Sequence, residues 1–94
     1  MSDLVFRWDP LKDSINQEKH GVSFEEGKSV FYDENARLIE DPEHSETEER
    51  FILLGFSSGV RLLVVCHCYR EGESTIRIIS VRKATKSEMK HYLR

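Results

Sequence analysis

The sequence predicts an α+β domain with a short N-terminal strand and two helices, a mainly antiparallel sheet, and a short C-terminal helix. Three observations predict it. Helix-start signals stand at Asp9-Pro10, Ser23 and Thr85. Three strand-like apolar runs follow one another between residues 50 and 83, separated by Gly-containing breaks. At 94 residues the chain has room for one hydrophobic core, so residues 1–94 are read as a single domain.

Val5-Phe6-Arg7-Trp8 alternates apolar and polar side chains, as a short strand does. Asp9 is a good N-cap and Pro10 suits the first helical position, so a helix starts there and Gly21 stops it. Leu11 and Ile15, four apart, are its expected buried stripe. Ser23-Phe24-Glu25-Glu26 has the pattern of a capping box opening a second helix, with Phe24, Gly27, Val30 and Phe31 on its inner face and Asp33-Glu34-Asn35 at its end. Gly27 is expected to permit close approach of a neighbouring element.

Ala36 to Glu40 reads as a strand, broken by Asp41-Pro42 into an acidic loop with Glu43, Glu46, Glu48 and Glu49. Arg50 to Phe56, Val60 to Tyr69 and Ser74 to Lys83 form a meander joined at Ser57-Ser58-Gly59 and Glu71-Gly72. The run Leu62 to Cys66 is apolar on both faces, as a covered central strand would be. Thr85-Lys86-Ser87-Glu88 is a further capping box, opening a helix through Leu93 with Met89 and Leu93 inward and Lys86, Lys90 and Arg94 outward.

Composition narrows the function classes. No apolar run is long enough to span a bilayer, and the Met1-Ser2-Asp3-Leu4 start lacks the lysines of a signal peptide, so a cytoplasmic address is expected. Net charge is −3, but the charge is divided unevenly. Residues 1–69 hold seven Lys/Arg against fourteen Asp/Glu, while residues 70–94 hold seven against three, making the C-terminal stretch the place for an anionic ligand. Cys66 and Cys68 flank His67 with no second Cys/His cluster nearby, which favours two reduced thiols over a metal site; neither metal nor cofactor is expected.

Assuming two-residue turns, Arg50 faces His67 and His67 faces Ile76. Arg50, His67, Ile78 and Arg82 then share one sheet face, with Cys66, Cys68, Arg77, Ile79 and Val81 on the other; a one-residue change in either turn exchanges the groups. His67 is either a buried histidine satisfied by a neighbour or an acid or base for proton transfer. Arg77 and Arg82 stand in an otherwise apolar strand, where guanidinium groups must reach an edge or meet an anion; a phosphate would satisfy both. His20 suits the C-terminal end of its helix dipole. The common enzyme motifs are absent, so motif logic stops at an anion-binding domain.

Phe6-Arg7-Trp8-Asp9, Lys19-His20-Gly21-Val22-Ser23-Phe24 and Thr75 to Ser80 with Arg82-Lys83-Ala84 resemble the BrnT family over nearly the whole chain. That resemblance implies a RelE-like fold and a metal-independent endoribonuclease, the toxin half of a type II toxin–antitoxin pair that halts translation and growth. It further implies a cognate BrnA-like antitoxin, an RNA substrate, and a higher-order toxin–antitoxin oligomer that binds DNA through the antitoxin. By position it implies a C-terminal active region with Arg77, Arg82 and Tyr92, which together with His67, the acid-or-base candidate read from its strand, are the catalytic candidates. Lys19, His20, Arg50, Lys83 and Lys86 are the RNA-binding candidates. The alternative is a non-catalytic protein-binding or regulatory domain on the same scaffold.

Overall fold

The computed structural model describes residues 4–40, 49–70 and 74–93. Its strands are β1 (Val5–Arg7), β2 (Arg37–Glu40), β3 (Phe51–Phe56), β4 (Leu62–Arg70) and β5 (Thr75–Lys83). Its helices are α1 (Pro10–His20), α2 (Phe24–Ser29) and α3 (Lys86–Tyr92), with a 3₁₀ turn at Val30–Tyr32. The strands form one sheet in the order β1-β5-β4-β3-β2. Pairing is antiparallel except for the parallel β1–β5 contact, and β4 is central, as its two-sided apolar pattern predicts. The Asp41-Pro42 break, most of the acidic loop and the Glu71-Gly72 turn lie outside the described residues.

Local sequence accounts for the helix ends. Asp9 accepts from the Leu11 N–H at 2.9 Å, and Gly21 caps α1 at φ 69°, a left-handed conformation that a side chain would strain. Ser23 accepts from the Glu26 N–H, but the Glu26 carboxylate turns to Ser57 and Arg61 instead of closing a box. At α3 both halves of the box form, Thr85 with the Glu88 N–H and Glu88 with the Thr85 N–H.

α1 and α2 cover one sheet face. Phe24, Val30, Leu63, Val65, Ile76, Ile78 and Val81 form the main core there, none more than 1% exposed. A Cβ built on Gly27 would come within 2.5 Å of Val81 Cγ2, so α2 and β5 meet as closely as the glycine permits. The expected α1 stripe is wrong: Leu11 and Ile15 are 67% and 53% exposed. α1 docks instead through buried Asn16, whose amide donates to Val22 O and Val81 O at 2.8 Å and accepts from Val81 N at 3.1 Å. These hydrogen bonds fix the helix rotation that two aliphatic side chains were expected to fix.

On the other face α3 covers a smaller cluster of Leu54, Leu62 and Val64, with Ile52, Ala84 and Tyr92 against it. Met89 and Leu93, expected inward, are exposed. Tyr92 makes the inward contact: its hydroxyl donates to Asp33 Oδ2 at 2.8 Å and its ring meets Phe56 edge to face.

The predicted register also fails, for two reasons. The β3–β4 connection is wider than two residues; Ser57 N donates to Arg61 O, Val60 N donates to Ser57 O, and Val60 takes φ 59°. Phe51, not Arg50, therefore pairs with His67. In β5 the register slips: Cys66 pairs with Ser80 but His67 pairs with Ile78, leaving Ile79 as an unmatched bulge residue. Through this bulge His67, Ile78 and Val81 face the helices, and Arg77, Ser80 and Arg82 share the opposite face.

Candidate functional site

The bulge brings Arg77 and Arg82 to one face, but not to one site. At about 3.3 Å per residue they lie roughly 15 Å apart along β5. Arg82 pairs with Val64 at the α3 end, where its Nη1 and Nη2 donate to Glu88 Oε1 and Oε2, both at 2.8 Å. This two-pronged pair holds the Glu88 carboxyl down at about 2 and raises the Arg82 guanidinium. The expectation that one phosphate satisfies both arginines is corrected, because a carboxylate of the same chain already serves Arg82.

Arg77 lies at the opposite end, two residue pairs from the β4 terminus, and lines an open cleft of about 410 Å³ with Arg7, Arg70 and Thr75. Three strands supply these groups. Arg7 is the direct parallel partner of Arg77, Cys68 is the antiparallel partner of Arg77, and Arg70 pairs with Thr75 two residues further. Alternation therefore aims Arg7, Arg70, Thr75 and Arg77 from the same sheet face. The side chains of Arg7 and Arg77 make no hydrogen bond or ion pair within the described residues. Such a cleft can hold a phosphate or another oxyanion by planar guanidinium donors.

The other predicted residues are dispersed. His67 is fully buried on the helix-covered face, with Nδ1 3.1 Å from Val65 O and Nε2 3.3 Å from the Tyr69 hydroxyl. Phe31, Phe51 and Tyr69 rings surround it, and burial lowers its pKa despite the Val65 carbonyl. The grouping of His67 with Arg82 is thereby corrected. Tyr92 is held by Asp33 near the α3 end, where burial and then the carboxylate raise its pKa. Burial alone would push the Asp33 carboxyl up, but hydrogen bonds from Phe56 N, Asn35 N and Tyr92 outweigh it and pull the pKa down.

Lys19 and His20 end α1 on the helix-covered side. Lys83 ends β5 opposite Leu63 and lowers the Glu26 pKa, which marks it as a neighbour of α2, while Lys86 is exposed at the start of α3. Arg50, half-buried, immediately precedes β3. Cys66 and Cys68 are free thiols, half-buried and buried. Among the described residues no group of three or more His, Cys, Asp or Glu could hold a metal ion, and no described helix is long and apolar enough to cross a membrane.

Arg7 is the functional candidate that sequence reasoning passes over. Its signal is the alternation of Val5-Phe6-Arg7-Trp8, which gives Arg7 a face but not a neighbour. The parallel partner becomes known only with the topology.

Comparison with known proteins places this arrangement. The crystal structure of the Brucella abortus ribonuclease toxin BrnT, at 1.1 Å resolution, superposes with a TM-score of 0.65 at 22% identity, covering 89% of this chain and 100% of that one. At that identity the match establishes the fold. A search of curated protein sequences gives no significant match. Residues 8–88 match a family described as the ribonuclease toxin BrnT of type II toxin–antitoxin systems. Since that match spans most of the chain, including β5 and nearly all of the sheet, the protein belongs to the BrnT family of ribonuclease toxins.

Proposed function

We propose that this chain is a growth-inhibiting endoribonuclease whose substrate phosphate binds Arg77. The observation that carries the reading is the Arg77 guanidinium, without a protein anion among the described residues and open to a basic cleft. RNA offers the missing charge and the reactive group. Attack of a ribose 2′-hydroxyl oxygen on the adjacent phosphorus forms the 2′,3′-cyclic phosphate and breaks the bond to the 5′-oxygen. The hydroxyl proton goes to a base, and the departing 5′-oxygen takes a proton from an acid. Charge grows on the non-bridging oxygens meanwhile, where a preorganised guanidinium lowers the barrier.

Burial and pairing favour that reading over His67 and Arg82. His67 has no exposed surface, and Arg82 is engaged in holding Glu88 and, through it, α3. Tyr92 stands at the α3 end, away from the cleft. The candidate binding group is thus Arg77, with Arg50 at the start of β3 and the exposed Lys86 as outlying cations.

A family-typical setting completes the proposal: a BrnA-like antitoxin silences the toxin in the cytoplasm, and the resulting oligomer binds DNA through the antitoxin. The test is induced expression of the intact chain alongside Arg77→Lys. Growth arrest with RNA cleavage is expected for the parent, and a loss of about 10²–10³ in cleavage rate for the variant, since lysine keeps the charge but loses the planar fork. An intact chain that neither slows growth nor cuts RNA overturns the reading in favour of a binding module.

A further inference from the structure

We infer that Arg7 of β1 forms, with Arg77, a subsite for a backbone phosphate of single-stranded RNA; this rests on the ribonuclease reading and adds a binding residue from the opposite end of the chain. The first observation is register. Arg7 and Arg77 are direct partners in the parallel β1–β5 pair, so their Cα atoms sit about one strand spacing apart, roughly 5 Å, with both side chains on one face.

Like charges placed directly across a ladder destabilise it. The chain elsewhere meets such charge with glutamates: Arg61 is bound two-pronged by Glu26 and Arg82 by Glu88. Arg7 and Arg77 have no such counterpart among the described residues, and the described lining of their cleft is Arg7, Arg70, Thr75 and Arg77. Two guanidinium groups held side by side, neither answered by a carboxylate among the described residues, are complementary to an anion brought from outside.

Two further features narrow the anion to a polymer phosphate. The cleft is open to solvent and lies where β1, a three-residue edge strand, ends the sheet, so a strand can cross it without threading through the fold. Its donors point from a pleated surface across adjacent strands, at a spacing that lets both guanidiniums reach oxygens of one phosphate. A single-stranded substrate can bring its phosphates into this concavity, whereas a rigid duplex presents them on a convex surface.

The test measures binding of a short 2′-deoxy oligonucleotide, which cannot be cleaved through a 2′-hydroxyl, to the intact protein over a range of salt. Arg7→Gln should weaken binding about tenfold, the worth of one charge-assisted hydrogen bond at an open site. It should also reduce the slope of log affinity against log salt by about 0.7, the contribution of one phosphate contact on a single strand. Arg7→Lys should restore the slope but only part of the affinity.

Equal affinity and slope in Arg7→Gln and parent overturn the inference, as does a parent that does not bind the oligonucleotide. Weaker binding with an unchanged slope also overturns it, because Arg7 would then act on the fold rather than on a phosphate. A parent that binds with the expected Arg7 dependence yet never cuts RNA leaves the subsite standing and overturns the ribonuclease reading.

Discussion

Glu88 and His67 both hold fewer protons in the folded chain than in the unfolded one, and so give stability a pH dependence of one sign. The Arg82 fork keeps the Glu88 carboxyl at about 2, well below its ordinary 4.5. Its stabilisation is therefore complete above the unfolded pKa and disappears as pH falls from about 4.5 to about 2. With both side chains partly exposed, that pair is worth about 1 kcal/mol after screening. His67 is held neutral by burial among rings, so the unfolded chain gains a proton below about 6.5 that the folded chain resists. Urea midpoints measured from pH 8 to pH 3 should fall in two stages. Glu88→Gln should flatten the lower stage, and His67→Phe the upper. A midpoint independent of pH between 6.5 and 5 in the parent would contradict the assignment to His67.

At the scale of elements, what is local in sequence is also what the sequence shows plainly. Caps at Asp9, Ser23 and Thr85 act over two or three residues and set the starts of α1, α2 and α3. The orientation of α1 is not local, because it depends on hydrogen bonds from Asn16 to a strand 65 residues away. Apolar spacing pointed to Leu11 and Ile15, whereas the side chain that secures the helix is an amide satisfied by backbone at both ends. Asn16→Leu should cost about 2–4 kcal/mol, since it orphans the Val81 N–H and two carbonyls in the interior. Denaturation in urea checks this, with Ile15→Ala, exposed and thus nearly neutral, as the comparison.

Taken as a whole, the sheet has one face under α1 and α2 and another that carries Arg7, Arg70, Arg77 and Arg82 beside α3, and the candidate site was half visible in the sequence. Arg77 could be found because a cation in an apolar strand is unusual. Arg7 could not, because its neighbour is 70 residues away across a parallel pairing that no turn signals. The basic C-terminal stretch behaves as two surfaces: the cleft around Arg77, and the α3 surface with Lys86 and Lys90. If an acidic antitoxin segment meets the second, association should slow as salt screens it over a Debye length of about 8 Å at physiological ionic strength. Stopped-flow mixing with the cognate antitoxin should show a slower on-rate for the Lys86→Glu, Lys90→Glu variant at low salt. Parity with the parent would move the interface elsewhere.

The unmatched Ile79 gives β5 a property resembling a tolerated frameshift. Residues before it and residues after it each keep strict alternation, and the surplus residue is what lets Arg77 and Arg82, separated by an odd number of positions, point the same way. Removing Ile79 joins the two phases without turning either over: Ile78 and Val81 stay in the core, and both arginines stay outside. Excision of Val64 from the bulge-free pairing of β3 with β4 has no such slack, and turns half of the central strand inside out. The Ile79 deletion should therefore melt cooperatively while the Val64 deletion does not fold, an outcome that circular dichroism during a thermal scan reads directly.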